Sequence, residues 1–130
     1  MFVPSPGRGH IVAIIEFAKR LLQQDERLSV SIIVIKRPYS TTVDSDTADL
    51  AASNTNIRFI YLPQVDPPVI KTCFENSMSV YIEMHKSHVK AGIIDHVLSK
   101  STPIAGLVID LFCSPMIDVA NELDVPSYLF

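Results

Sequence analysis

The chain has 130 residues, of which 48% are hydrophobic and 19% charged, with a formal net charge of -3. That length suits one compact domain and excludes two ordinary ones. Its basic residues are scattered, with no run beyond pairs such as Lys19-Arg20 and Lys36-Arg37, so nucleic acid and anionic membrane surfaces have no electrostatic footprint here.

No apolar run approaches the roughly 20 residues needed to span a bilayer. The opening Met1-Phe2-Val3-Pro4 carries neither a charged leader nor a secretory apolar core. Cys73 and Cys113 lie far apart and match no metal-ligand spacing. They read as reduced thiols, and the expected location is a cytoplasmic one.

Short apolar runs alternate with amphipathic stretches, the pattern of βαβ units around a parallel sheet. Met1 to Pro4 reads as a first strand, short at its front. After a Pro/Gly loop, Ile11, Ile14, Ile15, Ala18, Leu21 and Leu22 recur at helical spacing, which predicts a helix from about His10 to Gln24. Ser29 to Ile35 is a second strand, apolar enough to be covered on both faces.

Lys36 to Asp46 reads as a polar loop, followed by a weak helix near Thr47 to Ser53. Ile57 to Leu62 is a third strand closed by Pro63. Pro63 to Thr72, with Pro67-Pro68, is expected to be irregular because proline removes donors and blocks helix. A long helix is predicted from about Asn76 to Ser99, with Ile82, Val89, Ile93 and Val97 as its buried stripe and Gly92 inside it.

Ile104 to Asp110 is a fourth buried strand. Ser114 to Leu123 is a short helix, with Ser114 as N-cap and Pro115 at the first helical position. Ser127 to Phe130 begins a fifth strand. The expected fold is α/β: a Rossmann-like, doubly wound parallel sheet, read as part of a longer protein.

Open parallel sheets bind ligands beyond the carboxyl ends of their strands, where the strand order reverses. In the order 3-2-1-4-5, strands one and four meet at that reversal. His10 follows strand one and Asp110 closes strand four, so the two are expected to face each other across the crevice. An imidazole can take a hydroxyl proton through one nitrogen while a carboxylate holds the other N–H. No serine is placed to be the nucleophile, which leaves that role to a substrate hydroxyl. From the residues alone, a plain helix start at His10 and a plain strand end at Asp110 stand as the equal alternative.

The loop Pro4-Ser5-Pro6-Gly7-Arg8-Gly9 offers Gly7 and Gly9 for positive φ and close backbone approach. It lacks the third glycine of a dinucleotide loop and the Lys-Ser/Thr pair of a P-loop. A tight turn into a helix explains it equally well.

Val3-Pro4-Ser5-Pro6-Gly7-Arg8-Gly9-His10 resembles the opening of plant family-1 UDP-glycosyltransferases. Gly106-Leu107-Val108-Ile109-Asp110-Leu111-Phe112-Cys113, with Met116 to Ala120 and Val125 to Phe130, is similar to a second segment of that family. The resemblance is specific at these segments and loose from Pro38 to Ser99. It implies that residues 1–130 are the amino-terminal, acceptor-binding Rossmann-like domain of a two-domain GT-B enzyme, truncated, with the carboxyl-terminal donor domain absent.

It also implies roles. His10 matches the family's catalytic base and Asp110 its supporting carboxylate, acting on the hydroxyl of a small plant metabolite with a UDP-sugar as donor. No metal ion and no further cofactor are implied. No match to the sugar-nucleotide signature is present, so the chain alone is expected to be inactive. Two alternatives remain: a stand-alone small-molecule-binding or regulatory domain without catalysis, and a different Rossmann-like enzyme using a nucleotide at the glycine turn.

Other side chains carry weaker readings. Gly7, Gly9, Phe112 and Tyr81 are the candidate acceptor-binding residues, with Met78 and Met84 as further apolar candidates. His85 and His88 share a helix face, but a metal site would need ligands from elsewhere. Cys113 has no adjacent base to make it a nucleophile.

Overall fold

The computed structural model describes residues 1–38, 45–66, 74–96 and 103–130. Pro67-Pro68, Cys73 and Val97 to Ser99 therefore lie outside the described residues. Five parallel strands form one sheet: β1 (Phe2–Val3), β2 (Val30–Val34), β3 (Ile57–Tyr61), β4 (Leu107–Ile109) and β5 (Ser127–Leu129), in the spatial order β3-β2-β1-β4-β5. This is the expected order, with its reversal between β1 and β4. Register is anchored by Phe2 opposite both Ile32 and Val108, and by Val3 opposite Ile109.

Alternation along the strands divides the core in two. Phe2, Val30, Ile32, Val34 and Ile57 point to one face, where Ile11, Ile14, Ile15 and Ala18 of α1 (Arg8–Gln24) cover them. Leu50 of α2 (Ser45–Ala52) packs there as well. Val3, Ile33, Ile60, Leu107 and Ile109 point to the other face. There they meet α3 (Phe74–Glu83), α4 (Lys86–His96) and α5 (Met116–Glu122). A strand buried on both faces needs apolar residues at every position, which is why β2 reads as a continuous apolar run.

Three local expectations are corrected. The long helix predicted from Asn76 is two helices. Its break has a side-chain cause: the Nδ1 of His85 lies 2.8 Å from the Tyr81 carbonyl, the acceptor that the His85 amide would use in a continuous helix. That amide turns to Ile82 O instead, at 2.9 Å, so the chain tightens by one residue and restarts at Lys86.

The helix expected from Ser114 starts at Met116 with Pro115 as its N-cap residue, and no side chain caps it. Ser114 closes a 3-10 turn, Leu111–Cys113, whose own cap is Asp110. α1 begins at Arg8, two residues ahead of His10. No Ser, Thr or Asp marks that start, because Gly7 occupies the cap with φ of 151°.

Gly92, the apparent weak point of α4, has a packing reason. A Cβ there would stand 3.3 Å from Leu62 Cδ2, so the glycine lets α4 approach the end of β3.

Candidate active site

Adjacency of β1 and β4 brings the two sequence-predicted residues together. The Asp110 amide donates to Val3 O at 3.0 Å, which fixes the end of β4 beside the end of β1. From Val3 the chain passes through Pro4 to Gly7 and enters α1, whose third residue is His10. Its Nδ1 lies 2.7 Å from Asp110 Oδ2, across a sequence separation of 100.

The pair is asymmetric in a way that suits its chemistry. The Asp110 side chain is 6% exposed and the His10 side chain 41%. Asp110 Oδ1 also accepts the Phe112 amide at 3.0 Å, so both oxygens are held by donors and the carboxylate is fixed in direction. Because a carboxylate only accepts, the hydrogen of the short contact sits on His10 Nδ1. In the neutral imidazole Nε2 then carries the lone pair. Phe112 stands edge-to-face against the imidazole, with ring centroids 5.7 Å apart and planes at 82°.

A cavity of about 350 Å³ opens on His10. Ser5, Pro6, His10, Met78, Ser79, Leu111, Phe112 and Ser114 line it. Apolar walls with a few hydroxyls and one basic nitrogen are the usual make-up of a site for a small organic molecule. Phe112 and Met78, both candidates from the sequence, are thus among the residues that line this cavity.

Tyr81 does not. It is 1% exposed, packed in the core, and its hydroxyl donates to Lys36 O at 2.9 Å. Met84 is exposed and is likewise not among the lining residues. Neither glycine is among the lining residues, and the two differ in conformation. Gly7 has the positive φ, whereas Gly9 lies in the first turn of α1 with ordinary φ and nothing within 4 Å of a Cβ built on it. Ser5, Pro6, Ser79 and Leu111 were not singled out as site residues, and Ser114 was read only as a helix cap. Ser5 had the available signal, since it sits within the Pro/Gly loop that delivers His10.

The remaining candidates lie elsewhere. His85 is fully buried against Tyr81, at a centroid distance of 4.6 Å. Burial pushes its pKa below the ordinary 6.5; the Tyr81 carbonyl opposes this, and nearby His88 adds to it. Among the described residues no three His, Cys, Asp or Glu side chains come close enough to hold a metal ion. Cys113 is a free, buried thiol pushed up to about 12 by desolvation and by the nearby Asp110 charge. It is therefore no ready nucleophile.

No protein-family model matches the chain. Individual proteins do. UDP-glycosyltransferase 71K2 of Pyrus communis is 43% identical over the whole of this chain. UDP-glucose flavonoid 3-O-glucosyltransferase 6 of Fragaria ananassa is 39% identical over the same extent. The chain matches the amino-terminal part of plant UDP-glycosyltransferases. It spans about 29% of the length of these curated relatives.

The fold agrees with the family. The crystal structure of a Medicago truncatula UDP-glycosyltransferase complexed with UDP-glucose superposes with a TM-score of 0.85 at 40% identity, covering 99% of this chain and 28% of that one. A UDP-glucosyltransferase from Polygonum tinctorium capable of glucosylating indoxyl gives a TM-score of 0.82 at 32% identity, with 99% and 28% covered. The five-stranded sheet thus matches the amino-terminal part of plant UDP-glycosyltransferase structures of the GT-B fold. Among the described residues no helix is long and apolar enough to cross a membrane.

Proposed function

We propose that this chain supplies the acceptor site and the general base of an inverting, UDP-sugar-dependent glycosyltransferase. The observation that carries the reading is the 2.7 Å contact of His10 Nδ1 with Asp110 Oδ2 at the mouth of an apolar cavity. An acceptor with one hydroxyl directed at His10 Nε2 loses its proton to that nitrogen as its oxygen attacks the anomeric carbon. The new C–O bond forms on the face opposite the breaking bond, and UDP leaves with that bonding pair. Asp110 keeps the imidazole in the accepting tautomer and stabilises the imidazolium that forms. The base in this step is the His10 side chain.

The acceptor class follows from the walls. Pro6, Met78, Leu111 and Phe112 offer apolar and aromatic contact, which favours a hydroxylated small metabolite with a flat or hydrocarbon body. The UDP-sugar is the donor in the relatives, and here it would be held mainly by residues outside this chain. A reducing cytosol suits the free Cys113 thiol.

Asp110→Asn in the intact enzyme tests the roles. An amide in that place can still accept the Phe112 N–H through its oxygen, but it turns an N–H toward His10 Nδ1. The imidazole must then carry its hydrogen on Nε2, where it cannot accept a proton. The expected result is a loss of about 10³–10⁴-fold in kcat with donor affinity retained. Full turnover in that variant would remove the orienting role of Asp110.

A further inference from the structure

The break between α3 and α4 joins two helices that are anchored differently. α4 packs along α5, tied to it by Lys86 with Asp118 and by Lys90 with Glu122. Gly92 also brings α4 against Leu62 at the end of β3. α3 instead contacts the 3-10 turn that follows Asp110. Its Met78 and Ser79 line the cavity beside His10, together with Leu111 and Phe112 of that turn.

His85 makes the break, and the core gains nothing from having an imidazole there. The residue is fully buried. Its Nδ1–H donates to the Tyr81 carbonyl at 2.8 Å, in place of the amide that a continuous helix would put there. Its Nε2 has no hydrogen-bond partner, and neither has Nδ1 of His88. Buried polar atoms are nearly always paired, and each exception calls for a reason. Leucine at this position would continue the helix and leave no orphaned nitrogen on residue 85. What the imidazole provides is the change of direction itself.

About two turns of helix, or about 10 Å, separate His85 from Met78. Over that length a swing of about 10° at the break moves Met78 by about 2 Å. Tyr81 steadies the arm: its ring packs on the His85 ring with centroids 4.6 Å apart, and its hydroxyl donates to Lys36 O at 2.9 Å.

We propose that His85 is a positioning residue for the acceptor cavity. Its contact with the Tyr81 carbonyl fixes the angle at which α3 presents Met78 and Ser79, and so decides which acceptor bodies fit against that wall. This role rests on reading the cavity of about 350 Å³ as the acceptor site. Its effect falls on acceptor binding, because His85 is absent from the cavity lining and makes its hydrogen bond back onto α3.

The test uses the intact enzyme with a two-ring phenolic acceptor. His85→Phe keeps the volume of a ring and loses the contact with the Tyr81 carbonyl. His85→Asn keeps a donor close to the place of Nδ1. The expected result is an acceptor KM raised about tenfold in His85→Phe, with a much smaller change in kcat and in the KM for the UDP-sugar. His85→Asn should bring the acceptor KM back to within about twofold of the unaltered enzyme. A purely structural role would lower the amount of folded enzyme, and with it the apparent kcat, at an unchanged acceptor KM. That outcome would overturn the proposal, as would equal acceptor KM values in the Phe and Asn variants. If His85→Phe does not fold, His85→Leu is read in its place by the same criteria. His10→Ala, measured alongside, separates the two readings. If it is inactive while His85→Phe keeps the ordinary acceptor KM, the positioning role alone falls. If it turns over fully, the catalytic reading of the cavity falls and the positioning role falls with it.

Discussion

At the scale of single residues, the His10–Asp110 contact was legible because both lie at strand ends whose adjacency follows from the fold class. No local motif was required. What lay beyond reading was the second hold on Asp110, the Phe112 amide at 3.0 Å, since a 3-10 turn after a strand has no strong sequence signature. Tyr81 was placed in the site because its aromatic body suits an apolar wall. The core claimed it because its hydroxyl reaches a backbone carbonyl 45 positions away, which periodicity cannot reveal. The two loop glycines give opposite predictions. Gly7 has φ of 151°, a region essentially reserved to glycine, so Gly7→Ala should cost about 1–3 kcal/mol of stability. Gly9 lies in an α-helix with space around it, so Gly9→Ala should stabilise by about 0.5–1 kcal/mol. Urea unfolding of the two variants checks both signs.

At the scale of elements, strands β2 to β5 and α1 were readable from their periods, and the errors fall at junctions. A helical pattern running past Glu83 carries no mark of a break, yet His85 places its ring nitrogen on the carbonyl that a continuous helix would use. That device has a pH consequence. The folded His85 has a pKa below the 6.5 of the unfolded chain, so the unfolded state binds more protons between the two values. Stability associated with His85 is whole above about pH 6.5 and is lost as pH falls toward the lower folded value. Melting curves from pH 7 downward should show this decline, and His85→Phe should flatten it. An unchanged slope in that variant would remove His85 from the account. The exposed pairs Lys86–Asp118 and Lys90–Glu122 tie α4 to α5 at 2.7 Å each, but such contacts contribute little and are screened by salt. The break and its buried histidine should matter more.

At the scale of the whole molecule, the sheet order was legible because a switch point between strands one and four is the common solution for a doubly wound sheet. The surface was less legible. Leu111, Phe112, Tyr128, Leu129 and Phe130 are each between 47% and 62% exposed. They stand on the edge strand β5, its end and the neighbouring 3-10 turn, with Phe130 stacked on Phe17 at 5.3 Å. An apolar edge strand is a template for further pairing. The isolated chain should therefore self-associate, with a sedimentation mass that rises with concentration, and Tyr128→Lys with Phe130→Lys should return it to a monomer.

The central proposal is that His10 acts as the base, held by Asp110 and facing the cavity of about 350 Å³. The most direct measurement is turnover of a phenolic acceptor by the intact enzyme carrying His10→Ala, with UDP-sugar binding followed in parallel. The predicted result is a fall of about 10²–10⁴-fold in kcat/KM with donor binding unchanged. Turnover equal to that of the unaltered enzyme would contradict it.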